Sequence, residues 1–287
     1  MRTFLVCEVH LGFLLLCVLL GCAVAYGQEV PAVRARSFGG AYRAVTSAND
    51  AIYFNPAGLI KYKHVAIESD YLVNFNDETH QLAASVVDSA TTSWGLGLAY
   101  NRTFGPHEEN HPSHLIDLAL AMPLAKDFFF LGSSLYYTYV PNAKEYRHFF
   151  NFDIGLMACV PMGLSFGVVV DHIINPKGEE KGIGLALATA LNLNQLIALP
   201  LTLSFDWVMD DLRKDQLDHI LAGGAEFILF EVLPFRLGYT SKLKQKDSMI
   251  SFGTGLLFGG FALDGLYQQH LTISKLRNFG LALRFSF

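Results

Sequence analysis

The last ten residues, NFGLALRFSF (278–287), repeat with a period of two. Phe279, Leu281, Leu283, Phe285 and Phe287 fall on one face, and Gly280, Ala282, Arg284 and Ser286 on the other. An amphipathic helix needs apolar residues three and four apart, whereas a strand sends successive side chains to opposite sides, so this stretch is a strand. SWGLGLAYN (93–101) and LTLSFDW (201–207) carry the same signature. The chemistry of the two faces limits the fold further. One bears long Leu, Phe, Trp and Tyr, the other mainly Gly, Ala and a few polar groups. A water-soluble β-sandwich would need a polar solvent face on each sheet. A transmembrane barrel needs bulky apolar residues toward lipid and small or polar ones toward the lumen.

The period-two pattern predicts 14 strands, at 64–74, 78–88, 91–102, 114–124, 127–140, 147–160, 162–174, 182–192, 198–208, 217–230, 233–241, 248–258, 261–269 and 278–287. Their lengths cover the roughly 9–11 residues that a tilted membrane-spanning strand requires. The even count suits a single-chain bacterial barrel. The expected fold is therefore an all-β, antiparallel, porin-like transmembrane barrel over residues 61–287.

Charge supports the same phase. The chain is 52% hydrophobic and only 16% charged, with a net charge of −5. That composition excludes a disordered chain and a basic nucleic-acid binder. Most charges collect in alternate connections, such as RTFGPHEENHPS, NPKGEEKG and MDDLRKDQLD, which become the outer loops if the first strand runs outward. The in-strand charges are Glu68, Asp70, Asp117, Asp153, Asp171, Asp206, Glu226, Arg236, Asp264 and Arg284. Each has the opposite phase to the bulky residues of its own strand and is expected in the lumen. Facing lipid at mid-depth, such a charge costs about 2–4 kcal/mol.

Residues 1–27 read as a targeting segment. Arg2 opens a short basic region, residues 11–20 (LGFLLLCVLL) form an apolar run too short for a span, and AVAYG (23–27) supplies small residues for cleavage. Leu19-Leu20-Gly21-Cys22 also fits the box before a lipidated cysteine. After cleavage only Cys159 remains, so no intrachain disulfide is expected. The most apolar later stretch, 182–205, contains Asn192, Asn194, Gln195 and Pro200 and is a poor spanning helix. Export to the outer membrane of a Gram-negative cell, among its lipids, is the expected localisation.

Residues 28–60 do not alternate. The segment carries Arg34, Arg36 and Arg43 with Glu29 and Asp50 ahead of a lumen rich in carboxylates. Buried charges need partners, so a leader folded into the lumen as a plug would set these arginines against Glu68 and Asp70. Gly39-Gly40-Ala41, followed by Ala48-Asn49-Asp50-Ala51-Ile52-Tyr53-Phe54-Asn55-Pro56-Ala57-Gly58-Leu59, resembles the N-terminal hatch of the FadL-type outer-membrane proteins, a superfamily that includes PorV-like secretion proteins. The 14 strands and terminal Phe287 reinforce that resemblance. It implies a hatch-plugged barrel that admits long-chain fatty acids or other hydrophobic small molecules, with Asn55, Pro56, Ala57 and Gly58 as the gating element. Asn-Pro also favours a turn. The PorV-like branch implies instead a docking barrel with secretion-system partners. Short outer connections and an acidic lumen separate this chain from the fatty-acid transporters and raise that alternative.

Gly95 and Gly97 suggest a kink in the third strand, or room for the plug. His107-Glu108-Glu109-Asn110-His111 matches a zinc-protease motif literally, but that chemistry requires a helix, and Pro106 and Pro112 bracket the segment in an expected loop. No nucleophilic triad, phosphate loop or cysteine metal site is found, so the reading includes no catalysis, cofactor or metal.

Overall fold

The computed structural model describes residues 30–75, 78–105, 113–125, 128–139, 148–174, 182–210, 212, 217–272 and 277–287. The targeting segment and the His107–His111 motif lie outside them. Fourteen antiparallel strands close on themselves in sequence order, with β1 hydrogen-bonded to both β2 and β14. They are β1 (Val65–Asn74), β2 (Thr79–Asp88), β3 (Gly95–Phe104), β4 (Ser113–Ala125), β5 (Phe129–Tyr139), β6 (His148–Cys159) and β7 (Leu164–Asp171). The second half comprises β8 (Gly184–Asn192), β9 (Leu201–Asp210), β10 (Asp218–Leu229), β11 (Leu233–Lys242), β12 (Asp247–Phe258), β13 (Phe261–His270) and β14 (Arg277–Ser286). Every strand expected from alternation is present and in order. Closure leaves no edge strand, which a chain so rich in apolar strands requires to avoid pairing with its neighbours.

The barrel is apolar on the outside. Leu118, Leu156, Phe205, Leu237, Phe252 and Leu281 are all more than two-fifths exposed, and their chain neighbours Asp117, Gly155, Asp206, Arg236, Ser251 and Ala282 face inward. Soluble monomers rarely expose contiguous apolar patches beyond a few hundred Å². Among the described residues no helix is long and apolar enough to cross a membrane.

Two strand limits moved for identifiable reasons. Strand β3 begins at Gly95 rather than 91 because the Asp88 carboxylate accepts from the backbone amides of Ala90 and Thr91, turning the chain before the ladder starts. Strand β7 stops at Asp171. His172 takes a positive φ of 57°, and its amide donates to the Asp153 side chain at 2.8 Å instead of to the ladder.

At Gly95 and Gly97, where a kink was one expectation, β3 keeps a continuous register with both β2 and β4, so no bulge interrupts it. A Cβ at Gly97 would stand 2.8 Å from Ile52 Cγ1, and one at Gly95 3.1 Å from Leu59 Cβ. These glycines make room for the leader. The register shift in this part of the wall lies between Pro123 and Ala125, where the proline lacks a donor for the ladder.

Candidate functional site

Residues 30–60 form the short helix α1 (Val33–Ser37), a 3₁₀ turn at Ala48–Asp50 running into α2 (Ala51–Phe54), and a second 3₁₀ turn at Pro56–Ile60. Helices this short are marginal alone and depend on packing. That packing comes from inward residues around the whole ring. Ile52, Ala57, Leu59 and Ile60 cluster with Val87, Ala99, Ala119, Phe130 and Met157 of β2–β6. Val33 meets Leu72, Leu266 and Ala282 of β1, β13 and β14, and Ala44 meets Ala188 and Ala190 of β8. Fully burying an aliphatic side chain such as Ile52 or Leu59 contributes about 1.5–3 kcal/mol.

Asn55 is the hub of this arrangement and is fully buried. Its Nδ2 donates to the Arg43 carbonyl at 3.0 Å and to the Leu156 carbonyl of β6 at 3.1 Å, while its Oδ1 accepts from the Ala57 amide at 3.2 Å. One side chain thereby ties two parts of the leader to the wall and caps the turn that Pro56 begins. The glycines Gly132, Gly155 and Gly167 of β5–β7 provide the clearance. A Cβ on any of them would overlap Ala57, Asn55 or Arg43. Gly58, at the end of the motif, is pressed against Thr46 in the same way.

A second seat lies on the opposite strands. Helix α1 ends in a Schellman motif. The Gly39 amide donates to the Arg36 carbonyl at 2.9 Å and the Gly40 amide to Ala35 at 3.1 Å, with Gly39 in the left-handed region at φ 65°. The turn presses on Gly224, Gly238 and Gly253 of β10–β12, and Thr240 Oγ1 donates to the Gly39 carbonyl. Neither glycine lane was assigned from the sequence. The available signal was their lumen phase and the two cross-strand pairs, Gly132 with Gly155 and Gly224 with Gly238.

The charges are brought together differently from expectation. Glu68 pairs with Arg284 across the β1–β14 seam at 3.3 Å, and Asp70 accepts the Val33 amide at 3.0 Å, so neither answers a leader arginine in an ion pair the structure displays. Arg34 closes on Asp50 at 2.5 Å inside the leader, and Arg36 Nε donates to the Val30 carbonyl. Arg43 does meet the wall, at Asp206, whose Oδ2 also accepts the Tyr42 and Arg43 amides at 3.2 Å. Of the three arginines expected to meet Glu68 and Asp70, only Arg43 reaches a wall carboxylate, and that is Asp206; backbone amides, at the start of α1 for Asp70, compete for carboxylates as guanidinium groups do. In the wall, Arg236 bridges Glu226 at 2.6 Å and Asp264 at 2.5 Å. Burial opposes the Arg34 charge, but Asp50, with Tyr42, Glu68 and Asp264 behind it, holds that guanidinium above its ordinary range. Burial, with Asp70 and Asp117 nearby, pushes the Tyr53 phenol up, while its hydrogen bond to Asn101 opposes the shift.

Between the leader and the end of the barrel that carries the β7–β8 and β9–β10 connections is a cavity of about 530 Å³. Its apolar lining includes Phe54, Leu115, Phe149, Val169, Val208 and Ile220. Asp117, Asp153, Asp171, Asp210 and Asp247 contribute carboxylates, against Arg36, Arg43 and Lys242. The size is that of a small-molecule site.

No protein-family profile and no curated protein matches this sequence. Solved structures do match. The CymD monoaromatic hydrocarbon channel is 14% identical, with a TM-score of 0.58 over 91% of this chain and 98% of the channel. The Acinetobacter baumannii outer membrane protein Omp33 is 10% identical, with a TM-score of 0.53 over 78% of this chain and 98% of that protein. At these identities the likeness is one of fold, the closed antiparallel barrel. Strands β1–β14 and their connections amount to about the share that Omp33 covers, so the CymD likeness extends into the leader.

Proposed function

We propose that this protein is an outer-membrane channel for hydrophobic small molecules, with residues 28–60 as a hatch that plugs the barrel. The observation that carries the reading is the leader itself, seated across the ring at Asn55 beneath a ligand-sized, largely apolar-walled cavity. The apolar exterior supports residence in a bilayer, because only a closed barrel or a helix satisfies its backbone there. The fold likeness to CymD and Omp33 supports the same compartment and the channel class.

The cavity's carboxylates favour one end of the ligand range. A fatty-acid carboxylate in the cavity would face Asp117, Asp153, Asp171, Asp210 and Asp247 against Arg36, Arg43 and Lys242, an excess of acids to which a neutral hydrocarbon is indifferent. Monoaromatic hydrocarbons, the class named for CymD, are therefore the first ligands to test, with long-chain fatty acids beside them.

Passage requires the hatch to shift around Asn55, Pro56, Ala57 and Gly58. The test is uptake of labelled toluene and labelled oleate by cells lacking their own transporters, expressing either this chain or its Asn55→Ala/Pro56→Ala variant. Toluene uptake above the empty-vector control, altered several-fold in the variant, is expected. A folded, surface-exposed barrel giving no uptake of either compound refutes transport. Unaltered uptake in the variant refutes gating by this element.

A further inference from the structure

At the end of the barrel that carries the longer connections, the carboxylates of the strand ends face inward, with Lys242 and His270 among them. On the inward face, the terminal positions of β7, β9, β10 and β12 are Asp171, Asp210, Asp218 and Asp247. On the outward face the same level carries Arg102 and Arg277, both exposed, and no Asp or Glu among the described strand residues. Arg102 was counted in a loop from the sequence. The ladder continues to Thr103, placing Arg102 opposite His114 and Leu82 on the apolar side of the wall.

Four of the seven hairpins at this end add an outward histidine bonded to an aromatic side chain. Tyr71 bonds His80 Nδ1 at 2.6 Å, Tyr137 bonds His148 Nδ1 at 2.5 Å, and Tyr100 bonds His114 Nδ1. In the fourth, Trp207 Nε1 donates to His219 Nδ1 at 3.2 Å. An indole nitrogen only donates, so His219 Nδ1 is the acceptor and the ring proton sits on Nε2. In the three tyrosine pairs the phenol and Nδ1 share one bond, whose direction follows the ring tautomer. His80, His148 and His219 stand partly or fully exposed at the rim of an apolar surface, and His219 offers its Nε2–H there. At His114 the need for a further partner is explicit. The residue is 6% exposed, its Nε2 is buried, and no group among the described residues bonds it. Arg102, directly across from it, stands over the Phe104 ring at 5.4 Å and has no carboxylate partner among the described residues.

We propose that this outward rim is a binding belt for a phosphate-bearing lipid headgroup of the surrounding outer leaflet, with the exposed Arg102, beside the buried His114, as its strongest position. The argument is charge complementarity: cations and an N–H donor, with no carboxylate among the described outward strand residues at this level, on tyrosine and tryptophan platforms that themselves favour a headgroup level. A protein partner would leave the apolar band below the rim unexplained, whereas a lipid covers band and rim together. The proposal rests on the membrane reading above.

The experiment reconstitutes the full barrel in phosphatidylcholine nanodiscs and measures retention of bisphosphorylated lipid A against its dephosphorylated form by native mass spectrometry. Insertion is checked first, and a barrel that stays out of the bilayer overturns both the membrane reading and this inference. For an inserted barrel the phosphorylated form is expected to be retained at least about tenfold more tightly, the contribution of one charge-assisted hydrogen bond. Arg102→Gln, an exposed change that leaves the ladder intact, and Arg102→Gln/His114→Gln should remove most of that preference. Millimolar inorganic phosphate should not compete. Equal retention of the two lipids overturns the inference. So does an unchanged preference in Arg102→Gln, and so does displacement by free phosphate, which would mark a simple anion site.

Discussion

The two faces of the same wall solve opposite problems. The inward face receives a polypeptide, and does so with glycine and carboxylate: Gly132, Gly155 and Gly167 clear space for Asn55-Pro56-Ala57, and Asp70 and Asp206 accept the leader's backbone amides. Among the described residues the outward face receives no other segment and carries mainly Leu, Phe, Tyr and Trp, with its cations and imidazoles at the rim. One residue separates the two along any strand. Leu156 and Phe205 face out while their neighbours Gly155 and Asp206 touch the leader. The difference teaches that the inner face is specific and the outer face generic. An inward position is fitted to one neighbour, whereas an outward position needs only to be apolar and large. Substitutions should follow that division.

The largest effect is expected at an inward glycine. Gly155→Val adds atoms where the Asn55 side chain sits, and neither the β6 backbone nor the hub can retreat without breaking the bonds to Leu156 and Arg43. Overpacking of this kind typically costs about 1–3 kcal/mol, and the lost buried hydrogen bonds add to it. The barrel should still form, since its ladders are untouched, but the leader should leave its seat. Limited proteolysis should then cut the segment near Ala48–Leu59, and planar-bilayer conductance should rise several-fold. A protease-resistant leader in Gly155→Val would remove the claim that the inner face is fitted.

Next is Asp206, which serves the leader twice, through charge and through lone pairs. Asp206→Ala strands the Arg43 guanidinium and two backbone amides, and breaking a buried pair from one side costs about 3–5 kcal/mol. Asp206→Asn keeps an acceptor for the amides and should cost roughly half as much, because only the charge is lost. Hydrogen exchange at Tyr42 and Arg43 separates the two variants. Equal protection in both would mean that the carboxylate acts through charge alone.

The same division explains what could be seen in the sequence. Strand existence and facing were legible because a period of two, repeated 14 times, leaves no room for a helix, and because a charge in the wrong phase is costly enough to be kept to the ends of the described strands. Strand ends were less legible where a side chain intervenes. Asp88 at the start of β3 and Asp153 beyond the end of β7 take amides that the pattern would have given to the ladder. Contacts between leader and wall were least legible. The phase places Glu68, Asp70 and Asp206 on one face, but not at one height or on one side of the ring, so the choice of Asp206 for Arg43 and Arg284 for Glu68 needed the closed topology. Arg102 closed the third strand expected from alternation (91–102) and was also counted with the connection that follows; the ladder keeps it in the strand.

The smallest of these effects is expected on the outward face, and its test distinguishes generic from fitted most directly. Leu118 is 54% exposed on β4, between the inward residues Asp117 and Ala119. Leu118→Phe keeps the position apolar and should be nearly silent, whereas Phe at the neighbouring Ala119, fully buried beside Leu59 and Ile52, should disrupt the leader. Leu118→Arg should cost about 2–4 kcal/mol if the position lies near mid-bilayer, and less toward either rim. Urea titration of the barrel folded into vesicles measures all three. In detergent micelles, where water reaches the wall more readily, the arginine penalty should shrink while the Ala119→Phe effect stays the same. Equal arginine penalties in vesicles and micelles would mean that the outward face is packed against something other than lipid.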